Sequence, residues 1–173
     1  MLSAVTYIAR PEGPDAIDQL ADTLSALVAG VAAGLVGDAV IVAGTAHDGV
    51  ATVAEATGAT LVVLPRAASP WMAGARVARR DWVLCLEAGD VPAEGWIRAL
   101  DRFIGTARSG TALARLRRPH AGLPQRLIAR GEGVIGAGRA RAGDLVRRDT
   151  LLAGPGFSPR LKPRRLGARI ERG

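Results

Sequence analysis

The stretch AVIVAGTAHDGVATVAEATGATLVVLPR, Ala39 to Arg66, decides the fold. Ala39 to Val42 is a β-branched apolar run and predicts a strand. Val50, Val53 and Ala54 fall on one face of a short helix over Asp48 to Thr57, with Asp48 as its N-cap. Thr60 to Leu64 is a further apolar run, closed by Pro65. Both strands are continuous apolar runs rather than alternating ones, as in a parallel sheet covered on both faces.

The same alternation continues outward. Towards the N-terminus, Ser3 to Ile8 predicts a strand, and Ile17, Leu20, Leu24, Leu27, Val28, Val31 and Leu35 define one helix face. Asp15 suits its N-cap, Asp18 favours the helix dipole, and Gly34 and Gly37 end it. Towards the C-terminus, residues 71–80 predict a helix and Trp82 to Leu86 a strand. Trp96, Ile97, Leu100, Phe103 and Ile104 then give a helical face after Pro92, and Thr111 to Leu116 a last strand. The expected architecture is one α/β domain, a mostly parallel sheet with helices on both faces. Ligands of such sheets bind at the carboxyl ends of strands, which singles out residues 9–13, 43–48, 65–70 and 87–92.

Beyond residue 117, Pro119, Pro124, Pro155, Pro159 and Pro163 interrupt any long element. Gly131 to Gly143 contains five glycines but neither a Gly-x-Gly-x-x-Gly spacing nor a Gly-Lys-Ser/Thr. It reads as a flexible active-site or surface loop.

With 173 residues, 49% of them hydrophobic and 23% charged, the chain can build one domain with a core. The single Cys85 excludes a disulfide framework and a Cys-built zinc site, and His47 and His120 add too little for a His/Cys metal site. The longest uncharged stretch, Thr23 to Gly37, has 15 residues, short of the roughly 20 of a membrane span. No secretory signal is expected in MLSAVTYIARPE. The +7 net charge is uneven: residues 1–100 hold 6 Arg against 11 acids (−5), and residues 101–173 hold 17 Arg plus Lys against 5 acids (+12). A basic C-terminal third suits nucleic acid, an anionic membrane surface or phosphorylated ligands. Compositional bias explains it equally, since 22 of the 23 basic residues are Arg in a chain crowded with Ala, Gly and Pro.

The loop Leu86-Glu87-Ala88-Gly89-Asp90-Val91-Pro92 holds two carboxylates at the end of a buried strand. Hard cations such as Mg²⁺ and Mn²⁺ take such oxygens together with phosphate. On spacing alone the commoner reading has Asp90 cap the following helix and leaves Glu87 a solvated side chain. Arg10 and Arg66 sit at strand ends where a phosphate is met. Trp71, Trp82 and Trp96 are expected in the core. The serines show no nucleophile-elbow setting.

Four blocks carry a resemblance: VAGTAHDG (Val42 to Gly49), GATLVVLPR (Gly58 to Arg66), ARRDWVLCLEAGDVPAEGW (Ala78 to Trp96) and GDLVRRDTLLAGPGFSPRLKPRRL (Gly143 to Leu166). In order and spacing they resemble the family-two glycosyltransferases, of GT-A (Rossmann-like) fold. The likeness is nearest to the small bacterial cell-wall or glycosyl transferase-like branch, over about residues 2–167. The resemblance implies a nucleotide-sugar-binding α/β half over residues 1–118 and a basic, Gly/Pro-rich acceptor-side segment over 119–173. It implies transfer of a sugar from a nucleotide-sugar donor. Arg10, Asp48 and Arg66 would lie at the nucleotide, Glu87 and Asp90 on Mg²⁺ or Mn²⁺, and Arg147, Arg148 and Arg160 on the diphosphate and acceptor side.

The chain departs from the pattern at three functional places. Ala43 replaces the acid that meets the nucleotide, Gly89 replaces the metal-binding Asp, and Lys162-Pro163 replaces the Glu-Asp pair that supplies the base. No residue is nominated as base. The alternative is a pseudo-glycosyltransferase, a binding or regulatory module with a protein partner. A third reading, a basic surface for RNA or anionic lipid, lacks stacking aromatics among its arginines, with Phe157 alone between them, which argues against nucleic acid. The cytoplasm is the expected location, with peripheral contact at the inner membrane face.

Overall fold

The computed structural model describes residues 1–66, 68–108, 110–119 and 135–173. Its parallel centre is built from β1 (Leu2–Ile8), β2 (Val36–Ala43), β3 (Thr60–Val63) and β4 (Trp82–Glu87), in the order β3-β2-β1-β4. Each strand sends apolar side chains to both faces. Leu2, Ala4, Ile8, Ile41, Leu84 and Leu86 join one core layer, with α1 (Ala16–Ala32), α2 (Asp48–Thr57) and α4 (Trp96–Thr106). Val5, Val40, Val42, Val83 and Cys85 join the other, with α3 (Pro70–Val77) and α5 (Arg148–Leu152). Burial on both faces is why these segments read as uninterrupted apolar runs.

From β1 the chain winds outward through α1 and α2 to β3. Through α3 it then returns to the other side of β1 and forms β4. The strand order therefore reverses between β1 and β4. Beyond β4 the sheet becomes mixed. β7 (Asp144–Arg147) is antiparallel to β4 and to β6 (Leu113–Arg117). β8 (Arg164–Arg172) runs parallel to β6 and antiparallel to the short β5 (Asp90–Pro92). The full order is β3-β2-β1-β4-β7-β6-β8-β5, one mostly parallel α/β sheet as expected.

A polar latch closes the amino ends of the central strands. The buried Ser3 hydroxyl donates to Asp38 Oδ1 at 2.6 Å and accepts the backbone N–H groups of Arg79 at 3.2 Å and Arg80 at 3.0 Å. The three tryptophans lie in the core as expected. Trp82 meets Phe103 edge-on at 5.3 Å, and Trp71 meets Tyr7 at 6.1 Å.

Several expectations need correction. α1 ends at Ala32, so Leu35 enters β2's approach and Gly37 lies within β2. Val28 and Val31, expected on the buried face, are 63% and 57% exposed. Asp15 precedes α1 but makes no side-chain cap bond. The cap of α2 is His47, whose Nδ1 accepts the Gly49 N–H at 3.1 Å, and Asp48 is the first helical residue. Asp90 is no helix cap: it lies in β5, and α4 starts at Trp96 after Gly95. The basic run from Arg164 is the solvated side of β8, with Leu166, Ala168 and Ile170 turned inward. His120, Pro124 and the first part of the Gly131 to Gly143 loop lie outside the described residues. Among the described residues no helix is long and apolar enough to cross a membrane.

Candidate functional site

A cleft of about 240 Å³ opens at the carboxyl ends of β1 and β4, where the strand order reverses. The end of β1 contributes Tyr7, Ile8, Ala9 and Arg10 to its lining, and α1 contributes Ala16 and Gln19. β4 and its turn add Glu87 and Ala88, and Arg172 reaches it from the end of β8. In open α/β sheets such reversal points, outside the carboxyl ends of the strands, are where ligands bind.

Backbone contacts fix the walls. The Gly44 N–H donates to the Ile8 carbonyl at 2.8 Å, and a Cβ on Gly44 would run into the Ala9 carbonyl oxygen. Only glycine lets the β2 and β1 loops approach so closely. The Ala88 N–H donates to the Tyr7 carbonyl at 2.9 Å. The Gly89 N–H points at the Gln19 carbonyl and the Thr23 hydroxyl, each 2.9 Å away.

The turn after β4 holds the charged centre. Asp90 is 1% exposed, and its two oxygens are both engaged: Oδ2 accepts the Glu87 N–H at 2.8 Å, and Oδ1 accepts Arg118 Nη2 at 2.5 Å. The same Nη2 donates to Glu87 Oε2 at 3.1 Å. Glu87 is the more open partner, its side chain 45% exposed. Burial raises the Asp90 carboxyl above its usual range, while Arg118 and the Glu87 N–H pull against it. Burial alone would lower the Arg118 guanidinium, but Asp90 and Glu87 outweigh it and hold its proton more tightly.

Arg118 is seated by its surroundings. The aliphatic stem crosses Gly143, whose φ is +86° and where an ideal Cβ would lie 3.1 Å from Arg118 Cδ. The preceding strand is fixed in register by Arg115, whose Nε and Nη2 donate to Asp144 at 2.6 and 2.9 Å. On the other side, the Arg172 guanidinium lies over Gly89, which has φ +89°.

Of the residues expected at the site, Arg10 and Glu87 line the cleft and Asp90 lies beside it, bonded to Glu87. Asp48 and Arg66 are exposed at the same carboxyl edge, in the first turn of α2 and after β3, outside the cleft lining. Arg160 is exposed beside Gly136 and is not part of the lining. The structure does not bring Arg147 and Arg148 to the cleft. β7 is antiparallel to β4, so Arg147 pairs with Trp82 at the opposite end of that strand and lies 4.8 Å from its ring centroid. Arg148 donates from Nε to the Ala75 carbonyl at 2.8 Å. Part of the basic excess is paired within the fold, Arg115 and Arg118 with carboxylates, while the exposed Arg164 lies 5.6 Å from the Phe103 ring centroid.

Sequence reasoning missed Arg118 and Arg172. Arg118 arrives from 28 residues beyond Asp90, and no local motif marks it. Arg172 could have been placed by extending the alternation Leu166, Ala168, Ile170 into a strand.

The donor set does not fit Mg²⁺ or Mn²⁺. Among the described residues no three His, Cys, Asp or Glu side chains converge. Of the two expected metal ligands, both bond the same guanidinium nitrogen, and Asp90 has no open side for the waters a Mg²⁺ ion keeps.

No protein-family model matches the chain, and no curated protein does at the sequence level. Solved structures do match in fold. Glucosyl-3-phosphoglycerate synthase from Mycobacterium tuberculosis, in complex with Mn²⁺ and UDP-glucose, superposes with a TM-score of 0.60 at 19% identity, over 90% of this chain and 59% of that one. The same enzyme with Mg²⁺ and UDP gives 0.56 at 18% identity, over 87% of this chain and 57% of the other. TarS of S. aureus, residues 1–349, gives 0.56 at 12% identity, over 87% and 48%. The chain is similar to GT-A glycosyltransferases in fold over most of its length, and it spans about half to three fifths of theirs.

Proposed function

We propose that the protein binds a nucleotide sugar in the cleft between the ends of β1 and β4 and transfers the sugar to an acceptor. The supporting observation is the position of that cleft, at the strand-order reversal of a GT-A-like sheet, with Arg10 and Arg172 in its lining. Two guanidinium groups suit a diphosphate, which accepts paired N–H donors, and they neutralise the charge that develops on it as it leaves. Asp48 and Arg66 lie along the carboxyl edge where the nucleoside extends, and Arg160 belongs to the acceptor side. The ligand class comes from the structural neighbour solved with UDP-glucose.

A second reading has a specific observation of its own. The Glu-Asp pair expected to supply a base is Lys162-Pro163, and Asp90 is already bonded within the protein. A domain so arranged binds the nucleotide without turnover and acts through a partner.

Thermal-shift titration with UDP, GDP, dTDP and CDP tests the common premise. A nucleotide at about 100 times its Kd adds about 2.7 kcal/mol, a rise of about 5–11 °C for a chain of this size. Arg10→Ala and Arg172→Ala are expected to reduce the rise. No shift with any nucleotide overturns both readings. A shift with neither hydrolysis nor transfer of sugar from the matching nucleotide sugar leaves the non-catalytic one.

A further inference from the structure

We propose that Arg118 takes the part of a divalent cation at the turn after β4. It bridges Glu87 and Asp90, keeps Mg²⁺ and Mn²⁺ off them, and leaves the cleft able to receive a nucleoside diphosphate without metal. The nucleotide half rests on the function proposed above. The exclusion of metal rests on Glu87, Asp90 and Arg118 alone.

The geometry carries the argument. One nitrogen atom, Arg118 Nη2, lies 2.5 Å from Asp90 Oδ1 and 3.1 Å from Glu87 Oε2, the bridging place a cation would take. The remaining Asp90 oxygen is held by the Glu87 N–H. A divalent ion on the same oxygens would sit against the guanidinium, and with Asp90 1% exposed little water would screen the repulsion.

The guanidinium is also built into its place. Gly143 has no Cβ to obstruct the Arg118 stem, and the Arg115–Asp144 pair fixes the strand that delivers it. Together Arg118 and Arg172, on either side of the turn, supply two positive charges, the charge of the ion they replace. Guanidinium groups keep that charge at any working pH and present N–H donors suited to phosphate.

The deciding measurement is Mn²⁺ uptake by the full chain without nucleotide, read as the loss of the free-Mn²⁺ electron paramagnetic resonance signal. Wild type is expected to leave that signal unchanged. Arg118→Met, checked for folding by circular dichroism, is expected to take up one ion, and Arg118→Met with Glu87→Ala to lose it again. Uptake by wild type that Glu87→Ala abolishes overturns the proposal, as does a folded Arg118→Met that takes up nothing. If Arg118→Met does not fold, wild type against the surface variant Glu87→Ala still decides. A second arm compares UDP binding in EDTA and in Mn²⁺. Equal Kd values are expected, and binding about tenfold tighter in Mn²⁺ would overturn the metal-free half. Absence of UDP binding in both conditions rejects the proposed function, while Mn²⁺ uptake still decides the place of Arg118.

Discussion

Replacing Asp144 by Ala is expected to destabilise the protein far more than a typical substitution. Asp144 is fully buried, and the Arg115 side chain that faces it is 14% exposed. Two short charge-assisted hydrogen bonds join them, and the Arg141 N–H donates to the same carboxylate at 3.0 Å. Removing the carboxylate takes two charge-assisted hydrogen bonds from a mostly buried guanidinium, which costs about 3–5 kcal/mol. At roughly 2–4 °C per kcal/mol for a chain of this length, the melting temperature should fall by about 6–20 °C. Circular-dichroism melts at pH 7 measure the fall. The double variant Asp144→Ala with Arg115→Met is expected to recover much of it, because it removes the buried charge together with the carboxylate that compensated it. A single variant within about 2 °C of wild type would refute this account. So would a double variant whose loss equals the sum of the two single losses, since interacting residues should not be additive.

Three further outcomes follow from the packing and the charged turn. Gly44→Ala forces the β2 loop away from the Ala9 carbonyl, so a loss of about 1–3 kcal/mol is expected with weakened nucleotide binding, checked by thermal melts with and without ligand. Burial, with the Asp144 charge behind it, pushes the Cys85 thiol well up. It should therefore react with a disulfide reagent only as fast as the protein unfolds, and rapid native-state labelling would contradict its burial. Asp90 keeps its proton to higher pH in the folded chain than in the unfolded one. The folded state therefore binds more protons between the ordinary aspartate range and the raised value, and stability falls as pH rises through that window. Urea titrations at several pH values should show wild type losing stability relative to Asp90→Asn across it, and a trend of opposite sign would refute the assignment.

The first hundred residues were legible because β1, β2 and β4 are buried on both faces and α1 and α2 stop at Gly34 and Gly58. The bounds of α2, Asp48 to Thr57, follow directly from a polar start and Gly58. The α1 periodicity misled at Val28 and Val31: after Ser25 the helix has no polar side chain to mark its outer face. The three-residue β5 is too short for any period, and β7 owes its place to antiparallel pairing with β4 and β6 rather than to local sequence. In β8 the alternation was present, but Arg164, Arg165 and Arg169 drew the reading towards a charged surface. At the site, the strand-end rule found Glu87 and Asp90 from the sequence alone. The cation between them came from a distant strand, and only the assembled sheet places it.

The Ser3 latch has a mechanical consequence. One hydroxyl ties β1 to Asp38 of β2 and to the Arg79–Arg80 backbone that leads into β4, all at the rim opposite the cleft. The sheet is therefore clamped by a side chain at one rim, while the other, which carries the loops after β1 and β2, is held across the strands by backbone hydrogen bonds. Breathing motions should pivot about Ser3, with amplitude growing toward Ala9 and Gly44. Amide exchange should grade accordingly, slowest at Arg79 and Arg80 and fastest across the cleft mouth. Ser3→Ala would then act at a distance, loosening the fulcrum and dulling the gradient without touching a ligand-facing residue.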